Sequence, residues 1–288
     1  MNTTRYGLVE AGGTKFVLGI ATDKDNIEVT TRIDTTTPEE TIGAMLNWFR
    51  NQGKLDAIGV ASFGPLELDR LSTSWGHIGQ TTKLNWSGAD IAGPLQEAFR
   101  CPVAIDTDVN GAALAEYHWG AGQGQRSMLY FTIGTGVGGG AIVNGKILHG
   151  LSHPEMGHMS LPRHPDDLEF AGICPFHGAC LEGLASGPAI KTRWGMSLSQ
   201  LPADHRAHDI IAFYIAQTAV TMQAIFAPGR VIFGGGVMGT PGLIDRVRQQ
   251  VLKFGGGYFR GDPNDIVVLP GLGDKSGLLG ALALAQSA

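Results

Sequence analysis

Short apolar runs alternate with amphipathic stretches and glycine-rich turns along this 288-residue chain. Runs rich in β-branched and other apolar residues predict strands at 6–9, 16–21, 27–33, 55–61, 103–105, 129–133, 141–147, 231–233 and 266–269. Apolar residues at helical spacing predict helices at 37–52, 91–99, 112–119, 185–194, 208–227, 243–252 and 276–285. This mixture of strands and helices predicts an α/β fold.

Composition and charge narrow the class of protein. A hydrophobic content of 43% is ordinary for a packed protein, whereas a net charge of -5 argues against a nucleic-acid-binding protein, which usually carries a basic face. We expect no membrane span, because no stretch approaches about 20 apolar residues, and no export, because the N-terminus lacks a signal-peptide pattern. Three cysteines are too few for a disulfide framework, which indicates a reducing, cytoplasmic location.

Two glycine-rich turns are each flanked by strand-like runs. The first is Glu10-Ala-Gly-Gly-Thr-Lys15, and the second is the GTGVGGG run that begins at Gly134. The second contains the spacing G-x-G-x-x-G, but another strand follows it where a dinucleotide-binding unit needs a helix, so we exclude NAD. Backbone N–H groups of such hairpins are suited to hold phosphate. Their duplication suggests two related halves that bind one polyphosphate.

Two further stretches offer polar groups for a ligand. Asp106 and Asp108 follow a predicted strand and precede a helix, a place where open α/β sheets bind ligands. An aspartate before a helix commonly caps it, but one cap needs only one aspartate, which leaves the other available for chemistry. The loop-like region 73–86 ends with Lys83, Asn85 and Trp86, which would suit a ligand cleft or an ordinary surface loop equally well.

The stretch from His153 to Glu182 concentrates residues that bind metal ions. The candidate ligands are His158, Cys174, His177 and Cys180, the last three in a C-x-x-H-x-x-C pattern. Two thiolates and two imidazoles can complete a tetrahedral zinc site. Four protein ligands leave no open position for chemistry, so we expect a structural zinc that braces its loop. The nearby carboxylates Glu155 and Glu182 are then the groups held in place.

Six motifs together resemble, in order, the signatures of the ROK family of sugar kinases, most closely its zinc-containing fructokinases. They are EAGGTKF from Glu10, DTDVN from Asp106, GTGVGGG from Gly134, HPEMGH from His153, CPFHGACLE from Cys174 and FGGG from Phe233. The resemblance implies an actin-like ATPase (ribonuclease H-like) fold with two α/β domains, an interdomain cleft for ATP, and a homodimer. Residues 1–112 and a C-terminal helix at 275–288 would form the small domain on the sugar side, and residues 113–274 the large one.

The resemblance also implies roles for single residues. Asp108 matches the general base that takes the proton from the sugar hydroxyl. Phosphate-binding positions are Gly12, Gly13, Thr14, Lys15, Gly134, Thr135, Gly136 and Gly138, and the loop on the adenosine side is Gly234, Gly235 and Gly236. The sugar-binding positions are Asn85, Asp108, Glu155, His158 and Glu182, with His158 shared between the sugar and zinc. A Mg²⁺ ion would bridge the phosphates near Glu10.

The expected reaction is ATP-dependent phosphorylation of fructose at its 6-hydroxyl. Glucokinase-like members of the family usually carry Asp at the position of Glu10 and Asn at that of Thr107, and many relatives have a third cysteine where His177 stands. The first two differences favour fructose over the alternative, a broader hexokinase acting on mannose or glucose. A non-catalytic, sugar-binding regulator is the other alternative. Such regulators carry an N-terminal helix-turn-helix domain, and here the first predicted strand already begins at Tyr6.

Overall fold

The computed structural model describes residues 4–288. The strands are β1 (Tyr6–Ala11), β2 (Lys15–Asp23), β3 (Asn26–Asp34), β4 (Ala57–Ser62), β5 (Val103–Thr107), β6 (Ser127–Ile133), β7 (Val137–Val143), β8 (Lys146–Ile147), β9 (Arg230–Gly234) and β10 (Val267–Val268). The helices are α1 (Pro38–Arg50), α2 (Ala92–Phe99), α3 (Asp108–Trp119), α4 (Leu181–Ala185), α5 (Gly187–Trp194), α6 (Ala207–Phe226), α7 (Leu243–Gly255), α8 (Pro263–Ile266) and α9 (Ser276–Gln286). The predicted α/β class is confirmed.

The chain divides into two compact units. The first contains described residues 4–118 with Leu148–His153 and Asp274–Ala288, and the second contains Trp119–Ile147 and Pro154–Gly273. Each unit is built around one five-stranded sheet, with the strand order β3-β2-β1-β4-β5 in the first and β10-β9-β6-β7-β8 in the second. The two sheets repeat one plan, because in each an antiparallel hairpin is extended by parallel strands.

In the first unit, α9 packs against the sheet through small residues. A Cβ atom at Gly59 of β4 would lie 1.9 Å from the carbonyl oxygen of Ala281, so only glycine permits this approach of strand and helix. Helix α1 covers the sheet with its buried Ile42, Met45 and Phe49, as its apolar spacing predicts. The hydroxyl of Thr37 accepts the N–H of Glu40 at 3.3 Å, and this bond caps the start of α1.

In the second unit, α6 is the main core helix. With 20 residues and a mean hydropathy of 1.3, α6 is long and apolar enough to cross a membrane. However, 56% of that window is buried within the structure, and α6 packs against α7 and α4. This burial is typical of a core helix.

Four local predictions are corrected by the structure. The strand expected at 266–269 is shorter, because α8 continues through Ile266 and only Val267–Val268 pair with β9. The helix expected at 185–194 starts at Gly187, after Ser186 ends α4 and caps α5 by accepting the N–H of Ala189. Helix α3 begins at Asp108 and not at 112. Trp86 lies in the core, fully buried against Phe16 and Phe63, and is therefore not a cleft residue.

Candidate active site

The junction of β5 and α3 carries the predicted base. Asp108 is the first residue of α3 and is half-buried, and its Oδ1 atom accepts the N–H of Val109 at 2.9 Å. The alternative that one of the two aspartates is there to cap this helix is not borne out. Thr107 has that role, since its hydroxyl accepts the N–H of Asn110 at 3.2 Å. The buried Asp106 instead accepts the Thr107 N–H at 2.7 Å.

The first glycine hairpin and Asp108 lie at the same edge of the first sheet. Strands β1, β4 and β5 are parallel, and their last residues Ala11, Ser62 and Thr107 stand in register. Gly12 and Asp108 each directly follow the end of one of these strands. The carboxyl edge of parallel strands is where open α/β sheets bind ligands.

Bonds within the hairpin fix its shape. The Gly12 N–H donates to the Lys15 carbonyl oxygen at 3.0 Å, and a Cβ atom at Gly12 would lie only 2.9 Å from that oxygen. A neighbouring strand end also holds the hairpin, because Thr35 donates its N–H to Thr14 O at 3.0 Å and its hydroxyl to Gly12 O at 2.7 Å. Gly13, Thr14 and Lys15 are exposed. The turn is therefore both fixed and open to a ligand.

Glu10 precedes this hairpin and is half-buried. Burial raises the pKa of its carboxyl, and the positive charges of Lys15 and Arg32 act in the opposite direction. Its carboxylate packs against Gly277 of α9, where a Cβ atom would lie 2.4 Å from Glu10 Oε1. A glycine at this position of α9 therefore makes room for the acid.

Asn85 lies on an exposed turn of the first unit with a left-handed backbone, at φ 69°. Asparagine tolerates this conformation better than most residues, so the backbone conformation alone explains why an asparagine is found at this position. The loop around it is anchored beside the first hairpin. The Lys83 amine donates to Thr35 O at 3.2 Å and the Trp86 indole N–H to Thr36 O at 2.9 Å.

In the second unit, the second hairpin and the third glycine run lie side by side. Ile133 and Val137 pair across the hairpin, and the Gly134 N–H donates to Gly136 O at 2.9 Å. The Val237 N–H, after the third run, donates to Ile133 O at 3.0 Å. Gly235 has φ 87°, and a Cβ atom there would lie 2.5 Å from Ile133 O. The exposed members of the two loops are Thr135, Gly235 and Gly236, with Gly134, Gly136 and Gly138 half-buried and Gly234 buried.

Glu182, in the first turn of α4, is bonded to the second hairpin. Its Oε2 atom accepts the Val137 N–H at 3.0 Å, and a Cβ atom at Gly136 would lie 2.8 Å from the same oxygen. The family resemblance assigns Glu182 to the sugar, and no sequence pattern indicates its bond to Val137. The carboxylate positions the hairpin that the sequence predicts to hold phosphate.

Four residues of the second unit can hold a metal ion. The ligand atoms of His158, Cys174, His177 and Cys180 all lie within 4.8 Å of one another. The Cys174 Sγ atom is 3.7 Å from Nδ1 of both histidines, and Cys180 Sγ is 3.6 Å from His158 Nδ1. A tetrahedral zinc with bonds of about 2.3 Å to sulfur and about 2.1 Å to nitrogen places such neighbours roughly 3.6 Å apart. The donor set and its spacing therefore fit zinc.

Burial raises the pKa of the Cys180 thiol to about 11. A cation beside it would stabilise the thiolate that metal binding requires. The Cys180 Sγ atom also accepts the N–H of Gly183 at 3.5 Å and so caps α4, which carries Glu182. The cluster is thereby connected through one short helix to the second hairpin.

The other two predicted sugar ligands lie at a 3-10 turn, Met156–His158, which Glu155 precedes and His158 ends. Glu155 is exposed and precedes the turn, and its carbonyl oxygen accepts the His158 N–H at 3.0 Å. The turn packs tightly on β7, since a Cβ atom at Gly157 would lie 1.8 Å from Val137 O. Glu155, His158 and Glu182 are therefore all carried by segments that contact β7 or the hairpin before it.

A buried ion pair fixes the loop 161–170 beside α4. The Asp167 Oδ2 atom accepts bonds from Arg193 Nη1 at 2.6 Å and from the Tyr214 hydroxyl at 2.8 Å. Both charged side chains are 5% exposed, and Arg193 also bonds the Leu184 carbonyl oxygen of α4. Loss of either partner would leave an unpaired buried charge. Arg193 therefore links this loop to the end of α4, whereas Cys180 caps the start of the same helix.

Comparison with known proteins shows the family of the chain. The family model described as "ROK family" matches residues 6–288. A fructokinase of Zymomonas mobilis is 50% identical over 98% of this chain and 97% of its own length, and a fructokinase of Pediococcus pentosaceus is 42% identical over 98% of both chains. Among solved structures, a ROK hexokinase from Thermus thermophilus superimposes with a TM-score of 0.81 at 27% identity, covering 99% of this chain and 98% of its own.

Proposed function

The chain belongs to the ROK family, and from that premise we propose that it is a fructokinase, which transfers the γ-phosphoryl group of ATP to the 6-hydroxyl of fructose. The fold is the actin-like ATPase fold of this family. One observation carries the proposal beyond the family resemblance. Asp108 and the first glycine hairpin follow the in-register ends of parallel strands in one sheet, so the proposed base and the hairpin that we assign to phosphate share one edge.

Phosphoryl transfer requires mainly positioning and stabilisation of charge. In the proposed reaction, Asp108 accepts the proton of the 6-hydroxyl as that oxygen forms a bond to the γ-phosphorus. The bond between the γ-phosphorus and the bridging oxygen then breaks, and ADP leaves with fructose 6-phosphate as the other product. The hairpins at 12–15 and 134–138 would bind phosphate oxygens through the Lys15 amine and through backbone N–H groups other than those of Gly12 and Gly134, which are already donated within the hairpins. Gly234 to Gly236 leave space for adenosine.

Two metal ions belong to the proposal. Magnesium would neutralise phosphate charge, and Glu10, beside the first hairpin, is the carboxylate we assign near it, directly or through water. Zinc would be held by His158, Cys174, His177 and Cys180 as a structural ion. We assign Asn85, Asp108, Glu155, His158 and Glu182 to the sugar hydroxyls. The reduced thiols that zinc needs are consistent with a cytoplasmic location, and the family resemblance supports a homodimer, which light scattering would test.

A coupled assay of ADP release tests the reaction. With ATP, the protein is expected to turn over fructose with a higher kcat/KM than mannose or glucose. The absence of turnover on any hexose would contradict the kinase assignment, and an equal preference among the three sugars would favour the broader hexokinase. Thr107 gives little information on the preference for fructose, because its hydroxyl already accepts a hydrogen bond as the cap of α3.

Glu182 allows the phosphate role of the second hairpin to be tested separately. We expect Glu182→Ala to raise the KM for ATP about 10-fold, since it removes a hydrogen bond to a charged acceptor that holds Val137. Glu182→Gln keeps an oxygen that can accept the same N–H, so its KM for ATP should stay near that of the wild type. The exposed Glu169 provides a matched control, Glu169→Ala. A rise in the KM for fructose alone would restrict Glu182 to the sugar.

A further inference from the structure

A histidine outside the predicted site is bonded to a carboxylate next to the proposed base. His149 lies in the segment Leu148–His153, which belongs to the first unit. Its Nε2 atom is 2.9 Å from Asp106 Oδ2, and the two side chains are 41% and 4% exposed. The same segment has a second anchor, because His153 Nε2 accepts the Leu66 N–H at 2.9 Å. The segment is thus fixed to the first unit at two points.

The other oxygen of Asp106 is bonded to the start of α3. Asp106 Oδ1 accepts the Thr107 N–H at 2.7 Å and the Asn110 side-chain amide at 2.8 Å. Asn110 is 1% exposed, and its Oδ1 atom has no hydrogen-bond partner among residues 4–288, so the amide is oriented through its bond to Asp106. Asp106 therefore connects the end of β5 to the first turn of α3, and Asp108 stands in that turn.

We propose that His149 is a positioning residue for the general base: it holds Asp106, and Asp106 holds the turn that carries Asp108. This inference rests on the role proposed above for Asp108. A buried carboxylate is stable only when paired and hydrogen-bonded, so loss of His149 would leave Asp106 Oδ2 without its charged partner. The carboxylate would then turn towards water or take up a proton, and either change alters its bonds to Thr107 and Asn110.

The electrostatics of the pair support this role. The hydrogen bond to Asp106 raises the pKa of His149, against the opposing effect of burial, and the charge of Asp106 adds to the increase. The pair therefore favours the protonated imidazole more than an isolated histidine does, and in that form its charge compensates that of Asp106. Without this charge, the carboxylate of Asp106 would be uncompensated. Because it stands two residues from Asp108, it would disfavour the ionised form of Asp108, which a base requires. Both effects reduce kcat, whereas neither removes a group assigned to contact the sugar.

Three variants test the proposal in the full-length protein. We expect His149→Leu to lower kcat by on the order of 10-fold or more, with the KM for fructose changed by less than about 3-fold, as displacement of a catalytic group predicts. His149→Gln should recover part of the activity, because its amide can donate the same bond to Asp106 but carries no charge. His77→Leu is the matched control, since it removes another histidine of the first unit that faces an aspartate, Asp90, at 3.5 Å.

A double-mutant cycle identifies the route of the effect. If His149 acts through Asp106, the pair His149→Leu with Asp106→Asn should be no slower than Asp106→Asn alone. The proposal is overturned by a wild-type kcat in His149→Leu, by additive losses in the double variant, by a Gln variant as slow as Leu, or by a loss that matches the unfolded fraction seen by circular dichroism. An inactive wild-type protein would instead overturn the proposed function, and a fully active Asp108→Asn would overturn the base assignment.

Discussion

Asp108→Asn is expected to lower kcat for fructose phosphorylation by about 10²- to 10⁴-fold, the range that loss of a general base produces. The amide has nearly the shape of the carboxylate and keeps an oxygen that can accept the Val109 N–H, so the start of α3 should persist. Fructose should still bind, because an amide can hydrogen-bond a sugar hydroxyl but cannot remove its proton. Steady-state kinetics gives kcat, and calorimetry gives the sugar affinity.

Asp25→Asn is the appropriate control for this variant. It makes the same chemical change at a side chain that is 80% exposed and pairs with its neighbour Lys24. We expect it to leave kcat unchanged. Near-normal turnover in Asp108→Asn would eliminate Asp108 as the base. Loss of fructose binding together with turnover would instead make Asp108 chiefly a sugar ligand.

Cys180→Ser is expected to weaken zinc binding by at least about 100-fold, since it removes a thiolate from a four-ligand site. The free energy of unfolding should fall as well, because bound zinc stabilises the folded state and the serine hydroxyl replaces the sulfur only as the cap of α4. Activity should decline through α4 and Glu182, with increases in KM for both substrates. Metal content by plasma mass spectrometry, urea unfolding and kinetics measure the three effects.

Cys101→Ser gives the matched comparison, because Cys101 is the third cysteine and lies in the first unit, outside the cluster. It should retain zinc and activity. His158→Asn should reduce both zinc retention and affinity for fructose, as expected of a residue shared by metal and substrate. A protein stripped of its metal that keeps wild-type kcat, KM and stability would show that the cluster does not brace the site.

Most helices and strands could be predicted because their causes are local. Helix α1 combines a capping threonine, a proline in its first turn and apolar residues at helical spacing, and it forms within a residue or two of the predicted ends. Both glycine hairpins were also predictable, since a glycine-rich turn between two apolar runs favours that structure. The metal cluster was predicted from ligand types and spacing, and the structure brings all four side chains together.

The errors arose where distant residues decide the outcome. Trp86 is an aromatic residue in a polar loop, and only its contacts with Phe16 and Phe63 show that it belongs to the core. Two aspartates before a helix suggested an aspartate cap. In the structure Asp106 is buried and paired with His149, and Thr107 caps the helix instead. An isolated histidine such as His149 carries no sequence pattern that would single it out.

The sequence by itself determined most of the elements, the glycine turns, the candidate metal ligands and the family, because each depends on residue types at short spacing. Only the tertiary structure placed Gly12 and Asp108 at one sheet edge, joined Glu182 to the second hairpin, and paired His149 with Asp106. The physical reason is that strand register and side-chain packing bring together residues far apart in the chain. A hydrogen bond requires its two atoms within about 3 Å, a distance that spacing along the chain does not specify.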